Sequence, residues 1–293
     1  MYLSRVTFKP DIAENTQLTK VLEANTYGYH QLLWDLFAQK KRDFLYRAEF
    51  AQEQLPDRSA VRAQPLFYVL SKTKPAADSP LFRVESKAFS PELTAGKRLN
   101  FRLRANPVVT KNGKRHDLVM DEQVAFSQRI VSALGEVPAE RKAELRLQLS
   151  QPKLQARLQD WLQTYLHNSR YFAVSEQLAT AKLLELATQE AVSRRLQQWL
   201  CQNPSREGIA SIATHLVEDE MSEQACEVAS FQWQAYQAHS IAPKGPKAQF
   251  RSVDMQGELV VNEPERFLEM LIKGIGPAKG FGCGLMLVKT ASM

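Results

Sequence analysis

The sequence predicts an α+β protein: two strand–helix–strand units, the second interrupted by a block of helices. Three observations carry this. In residues 1–85, apolar residues alternate with period two, change to helical spacing, and then alternate again. A similar succession returns in the last third of the chain. Between them, residues 122–195 are dense in Leu, Ala, Gln, Glu and Arg, with Gly135, Pro138 and Pro152 as the only Gly or Pro breakers. The composition agrees. At 293 residues, 44% hydrophobic and 24% charged, the chain has room for one large core or two small ones and is too apolar to be mainly disordered.

The elements follow in order. Tyr2, Ser4, Val6 and Phe8 share one face of a half-buried strand. Tyr29, Leu32, Leu33, Leu36 and Phe37 then keep helical spacing, and the basic run Lys40-Lys41-Arg42 sits where a helix C-terminus favours cations. Residues 43–50 alternate again, with Phe44, Tyr46, Ala48 and Phe50 on one side, and Pro65–Ser71 forms the next strand. Such a succession predicts helices on one face of an antiparallel sheet. Residues 72–95, rich in Pro, Ser, Lys and Ala with one strand-like piece at Leu81–Val84, read as the passage between two domains: 1–85, a linker at 86–96, and 97–293. The second domain opens with a strand at Lys97–Asn106 and a hairpin whose tip is Asn112-Gly113. The helical block at 122–195 carries ten Lys/Arg against eight Asp/Glu and reads as a subdomain packed on itself or a docking surface for protein or RNA. Strand signals return at Ile209–Ile212, Glu227–Ala235 and Phe250–Val261. A helix follows at Glu263–Lys273, with Asn262 as candidate cap and Gly274 past its end, and then a last strand at Leu285–Lys289.

Several function classes are excluded on physical grounds. No run of about 18 apolar residues lacks charges, so no membrane span is expected. The segment MYLSRVTFKP has no apolar core of a secretory signal. Three cysteines (Cys201, Cys226, Cys283) without a CxxC pair argue against a disulfide framework or zinc cluster and fit a reducing cytoplasm. His167 and His239 have no spacing partner, and His215 lies near the acidic run Glu218-Asp219-Glu220. No HxxxH or HExxH pattern occurs, so neither metal nor cofactor is expected. A net charge of +6 leans toward a polyanionic partner.

Two features carry chemistry. Residues 274–284 place five glycines (Gly274, Gly276, Gly280, Gly282, Gly284) between a helix and a strand, where freed backbone N–H groups can approach a phosphodiester. Lys279 adds charge and Phe281 a stacking face. The order helix–loop–strand is neither a Walker loop nor a dinucleotide fingerprint. Cys283 reads as a small packing residue. His30 is the second feature. It lies about 100° round the first helix from Tyr29, at the edge of the apolar stripe, where an imidazole exchanges protons near neutral pH. Basic ribbons accompany them. Arg102 and Arg104 leave one face of a strand, Lys111, Lys114, Arg115 and His116 follow on the hairpin, and Lys244, Lys247 and Arg251 lie farther on. Each lysine also reads simply as solvated surface.

With GIGPAKGFGCGLM near its end, the chain resembles the RAMP superfamily. The segments MYLSRVTF, YGYHQLLWDLF and FRLRANPVVTKNGKRH, in that order, resemble the CasE-type family of CRISPR RNA-processing endoribonucleases of type I-E systems. The resemblance covers roughly residues 1–120 and 196–290, and the helical block is its departure. It implies two tandem ferredoxin-like domains with the helical insertion in the second. It also implies metal-independent cleavage of precursor RNA beside a repeat stem-loop, giving a 2′,3′-cyclic phosphate. The partners implied are the CRISPR repeat RNA, the Cascade backbone and other type I-E subunits. The family's catalytic pair falls on Tyr27 and His30: His30 as general acid or base, Tyr27 positioning the reacting groups. Lys279 and loop N–H groups would hold the developing charge, and Gly276, Gly280, Phe281, Gly282 and Gly284 would line the RNA. A non-catalytic RNA-binding scaffold whose insert recruits a partner protein is the alternative.

Overall fold

The computed structural model describes residues 1–10, 26–38, 43–49, 65–175, 177–219, 224–240 and 249–291. Lys40-Lys41-Arg42, Phe50, Lys244 and Lys247 lie outside the described residues, as do the side chains of Tyr27, Glu218 and Asp219. Among the described residues no helix is long and apolar enough to cross a membrane.

The first sheet contains β1 (Tyr2–Phe8), β2 (Phe44–Glu49), β3 (Leu66–Ser71) and β4 (Phe82–Ala88), all antiparallel, in the order β2-β3-β1-β4. Helix α1 (Thr26–Trp34) joins β1 to β2. Its Tyr29 and Leu33, with Leu36 and Phe37 just past its end, pack on Val6, Phe44, Tyr46, Phe67 and Phe82 as the alternation predicts. β4 differs from the expectation. Residues 81–88 continue the first sheet, with Tyr2–Phe8 registered against Ala88–Phe82. The strand was faint in the sequence because it is an edge strand with few buried positions. The Pro- and Ser-containing segment before it runs within this domain, where the Ala76 amide donates to the Leu36 carbonyl at 2.9 Å.

The second sheet has the order β11-β12-β5-β13, from β5 (Arg98–Ala105), β11 (Phe231–Ser240), β12 (Gln249–Val261) and β13 (Met286–Thr290); β8 (Ala210–Ile212) also pairs β12. Helix α7 (Pro264–Lys273) crosses from β12 to β13 and buries Phe267 and Leu271. Its N-cap is Glu263, not Asn262, and Glu263 holds Arg266 at 2.8 Å instead of an amide. Both sheets thus have one strand order: outer second strand, third strand, first strand, fourth strand. This is the tandem ferredoxin-like arrangement. The hairpin β6 (Val108–Lys111) and β7 (Lys114–Asp117) turns at Asn112 and Gly113, whose φ of 51° and 73° suit a two-residue turn.

The helical insertion is α2 (Leu118–Ala133), α3 (Lys142–Leu149), α4 (Gln155–His167), α5 (Phe172–Ser175) and α6 (Thr180–Cys201). It starts before residue 122 and continues past 195 because its outer helices serve two cores. Leu118 and Val119 of α2, with Val192, Leu196 and Trp199 of α6, cover the second sheet. Farther along the same helices, Phe126, Ile130, Leu183 and Ala187 pack with Leu145, Leu158, Leu162 and Leu166. A second hairpin, β9 (Thr214–Asp219) and β10 (Gln224–Ala229), projects between β8 and β11. Leu45 and Leu70 of the first sheet share a small core with Leu285, so the two domains meet sheet to sheet.

Candidate functional site

His30 is buried at 5% exposure, deeper than the stripe edge expected for it. Phe44 stacks on the imidazole at 5.5 Å, Trp34, one turn later, meets it edge-on at 5.3 Å, and Tyr46 lies at 6.2 Å. The cause is local: β2 turns Phe44 and Tyr46 toward α1, so two rings close over a histidine that the helix alone would leave half open. Tyr27 stands on the same helix, three positions before His30.

The glycine-rich loop presses against the other side of Tyr46. Gly274, Gly276, Gly282 and Gly284 have φ between 74° and 92°. Close approach explains two of them. A Cβ on Gly282 would stand 3.2 Å from the Tyr46 ring, and one on Gly274 would stand 2.7 Å from Leu45. The Tyr46 hydroxyl donates to the Gly280 carbonyl at 3.2 Å. The turn Lys279–Phe281 thus rests on α1 and β2. The loop is pinned below by the Gly284 amide donating to the Arg104 carbonyl at 2.7 Å. Gly282 and Gly284 are buried and shape the loop, whereas Gly276, Gly280, Lys279 and Phe281 retain exposure. The Lys279 ammonium donates to the Lys273 carbonyl at 2.7 Å, where the end of α7 carries partial negative charge. Phe281 packs on Phe250 at 5.0 Å, and Phe250 stacks on His239 at 4.7 Å.

Behind the loop lies an ion network between the domains. Arg104 makes a bidentate pair with Asp254 at 2.9 and 2.7 Å and donates to the Ala48 carbonyl at 3.1 Å. Arg47 contacts Asp254 at 3.3 Å and donates to Glu49 at 3.1 Å, and Glu49 also holds Arg102 at 3.4 Å. Three guanidinium groups therefore face two carboxylates. Arg102 stays half exposed, but Arg104 is turned inward.

The chain matches the family described as CRISPR associated protein over residues 1–290. It belongs to the CRISPR associated protein family. It is 22% identical to the CRISPR system Cascade subunit CasE of Escherichia coli K12, over 98% of each chain. Among solved structures, it resembles CRISPR endoribonuclease Cse3 bound to a 19-nucleotide RNA, at 21% identity and TM-score 0.53, covering 99% of this chain and 100% of that one. Thermus thermophilus Cse3 bound to an RNA representing a pre-cleavage complex is 21% identical, with TM-score 0.51 and 98% of each chain covered. These likenesses show a shared fold.

In this family member, the structure brings together His30 and the glycine-rich loop, with Tyr46 between them. Lys111 pairs with Asp121 at 2.6 Å, while Lys114, Arg115 and His116 are exposed. Arg251 lies over Tyr236, 5.9 Å from the ring centre. Sequence reasoning missed Tyr46, Arg47, Glu49 and Asp254. The one available signal was Arg47 and Glu49 alternating with apolar residues, a pattern normally read as a solvated strand face. Burial pushes the Cys283 thiol up to about 12 and the Cys201 thiol up to about 11, so both stay protonated near neutral pH.

Proposed function

We propose that this chain is a CRISPR RNA-processing endoribonuclease that binds a repeat stem-loop, cuts beside it, retains the product and joins a Cascade-type complex in the cytoplasm. The relatives' printed names support this reading, since they describe a Cascade subunit and endoribonucleases bound to RNA. The observation that carries it is the meeting of the His30 helix with the glycine-rich loop across Tyr46. The chemistry is transesterification. The 2′-oxygen attacks the adjacent phosphorus, its proton leaves, and the departing 5′-oxygen is protonated, giving a 2′,3′-cyclic phosphate and a 5′-hydroxyl. His30 handles one of these protons, and Tyr27 positions the reacting groups. Lys279 and exposed loop amides hold charge on the five-coordinate phosphorus. Arg102, Lys114, Arg115 and Arg251 engage phosphates of the stem, with Lys111, Lys244 and Lys247 adding charge. Arg104 acts through the loop it pins rather than on the RNA. The reaction needs no metal or other cofactor.

Two substitutions test this. A 2′-deoxy nucleotide at the cleavage position is expected to abolish cutting with stem affinity nearly intact. His30→Ala is expected to lose cleavage with or without EDTA while still binding RNA. Wild-type cutting of the deoxy substrate would refute the mechanism, and binding of repeat RNA without any cutting would make the chain a scaffold.

A further inference from the structure

We propose that a cavity at the edge of the second sheet binds one ribonucleotide of the single-stranded RNA flanking the stem. This rests on the RNA-processing reading above. The cavity, about 560 Å³, opens where the β9–β10 hairpin leaves the sheet. Its origin lies in the strand pairing. Phe231 of β11 is registered with Gly257, whereas Ile212 of β8 is registered with Leu259, so β12 changes partner at Glu258 and the sheet edge gapes there. The volume suits a nucleotide, within the range of about 300–1,000 Å³ usual for small-ligand sites.

The lining has the chemistry of a nucleotide. Arg102, Arg170 and His215 are cationic or protonatable, and among the described residues no Asp or Glu lines the cavity. An excess of positive groups in a walled cleft concentrates anions. Arg170 is already held in place, its guanidinium donating to the carbonyls of Ala229 (3.3 Å) and Phe231, with Glu190 at 4.0 Å behind it. Asn100, Gln232 and Gln256 supply carboxamides, the groups that pair with base edges. Gln256 donates to Gln232 at 3.2 Å, so the two hold each other across the β11–β12 pair. Arg102 connects the cavity to the candidate site. It reaches Glu49 on β2, three residues or about 10 Å along the strand from Tyr46, which lies beside His30. A strand reaching the His30 site therefore passes Arg102 and can seat a neighbouring nucleotide in the cavity.

Repeat RNA carrying 4-thiouridine at successive flanking positions, crosslinked to the full chain, is expected to give peptides from β9, β10 or β11 for one flank position. His215→Glu and Gln232→Ala, both at exposed positions, are expected to weaken binding of flanked RNA about tenfold, the scale of a lost base-edge pair, and to spare a bare stem. Wild-type affinity for flanked RNA in both variants, or crosslinks confined to other elements, overturns the proposal while leaving RNA cleavage standing. Uridine or adenosine monophosphate binding that flanked RNA does not displace also overturns it, assigning the cavity to a free nucleotide. If the wild-type chain neither binds nor cuts repeat RNA, this proposal and the function fall together.

Discussion

Tyr46 shows how one side chain couples two features that are 250 residues apart. Its ring lies against His30, its hydroxyl holds the Gly280 carbonyl, and Gly282 leaves space for its edge. Two substitutions separate these contacts. Tyr46→Phe removes one hydrogen bond and is expected to cost about 1 kcal/mol of stability. Gly282→Ala forces a side chain into the left-handed region at φ 81° and against the ring, at a cost of about 1–2 kcal/mol from the backbone alone. Both should slow RNA cleavage more than they weaken RNA binding, because each shifts the loop relative to His30. Denaturant midpoints and single-turnover rates check this, and unchanged rates in both would detach the loop from catalysis. His30 and the five glycines were legible in the sequence because each is conspicuous in type and spacing. Tyr46 was legible only as a core residue of β2, since its role depends on a loop that arrives from the other end of the chain.

The elements that make local demands on the sequence were the legible ones. The Asn112-Gly113 hairpin, α7 with Gly274 at its end, the alternation in β1 and the apolar run of β3 each carry their own signature. β2 was read for one face only, yet all six of its residues are buried. Its second face holds Arg47 and Glu49, and their partners Arg102 and Asp254 come from β5 and β12, which no local pattern announces. Nor does any local pattern announce that Arg104, expected as an RNA contact, pairs with Asp254. Its pairing predicts a specific hierarchy. Asp254→Ala takes the carboxylate partner from buried Arg104, while Arg47 keeps Glu49, and should cost about 3–5 kcal/mol. Asp254→Ala combined with Arg104→Met should cost less than the sum of the two single changes. Urea unfolding of all three variants gives the coupling, and strict additivity would mean the pair contributes nothing as a pair.

At the scale of the whole molecule, the junction between the domains is where charge, ring stacking and the loop converge, so it is also where pH acts. His239 stacks on Phe250, bonds Ser252 through Nε2 at 2.7 Å, and lies near Arg104 and Asp254. Burial lowers its pKa below the ordinary histidine value of 6.5; the Arg104 charge adds to the shift and Asp254 opposes it. The sign follows from proton counting. As pH falls through about 6.5, the unfolded chain takes up a proton that the folded chain still refuses, so the unfolded state gains. The contribution of this residue is complete above that value, declines as pH falls through it, and is gone once the pH is below the folded pKa. Thermal unfolding between about pH 7.5 and about pH 5 should therefore show a falling midpoint, with the slope reduced in His239→Asn. Because the ring ladder continues through Phe250 to Phe281 in the glycine-rich loop, cleavage at acidic pH should fall with the same midpoint in the wild type and less steeply in the variant. An identical slope in both proteins would remove His239 from the pH response.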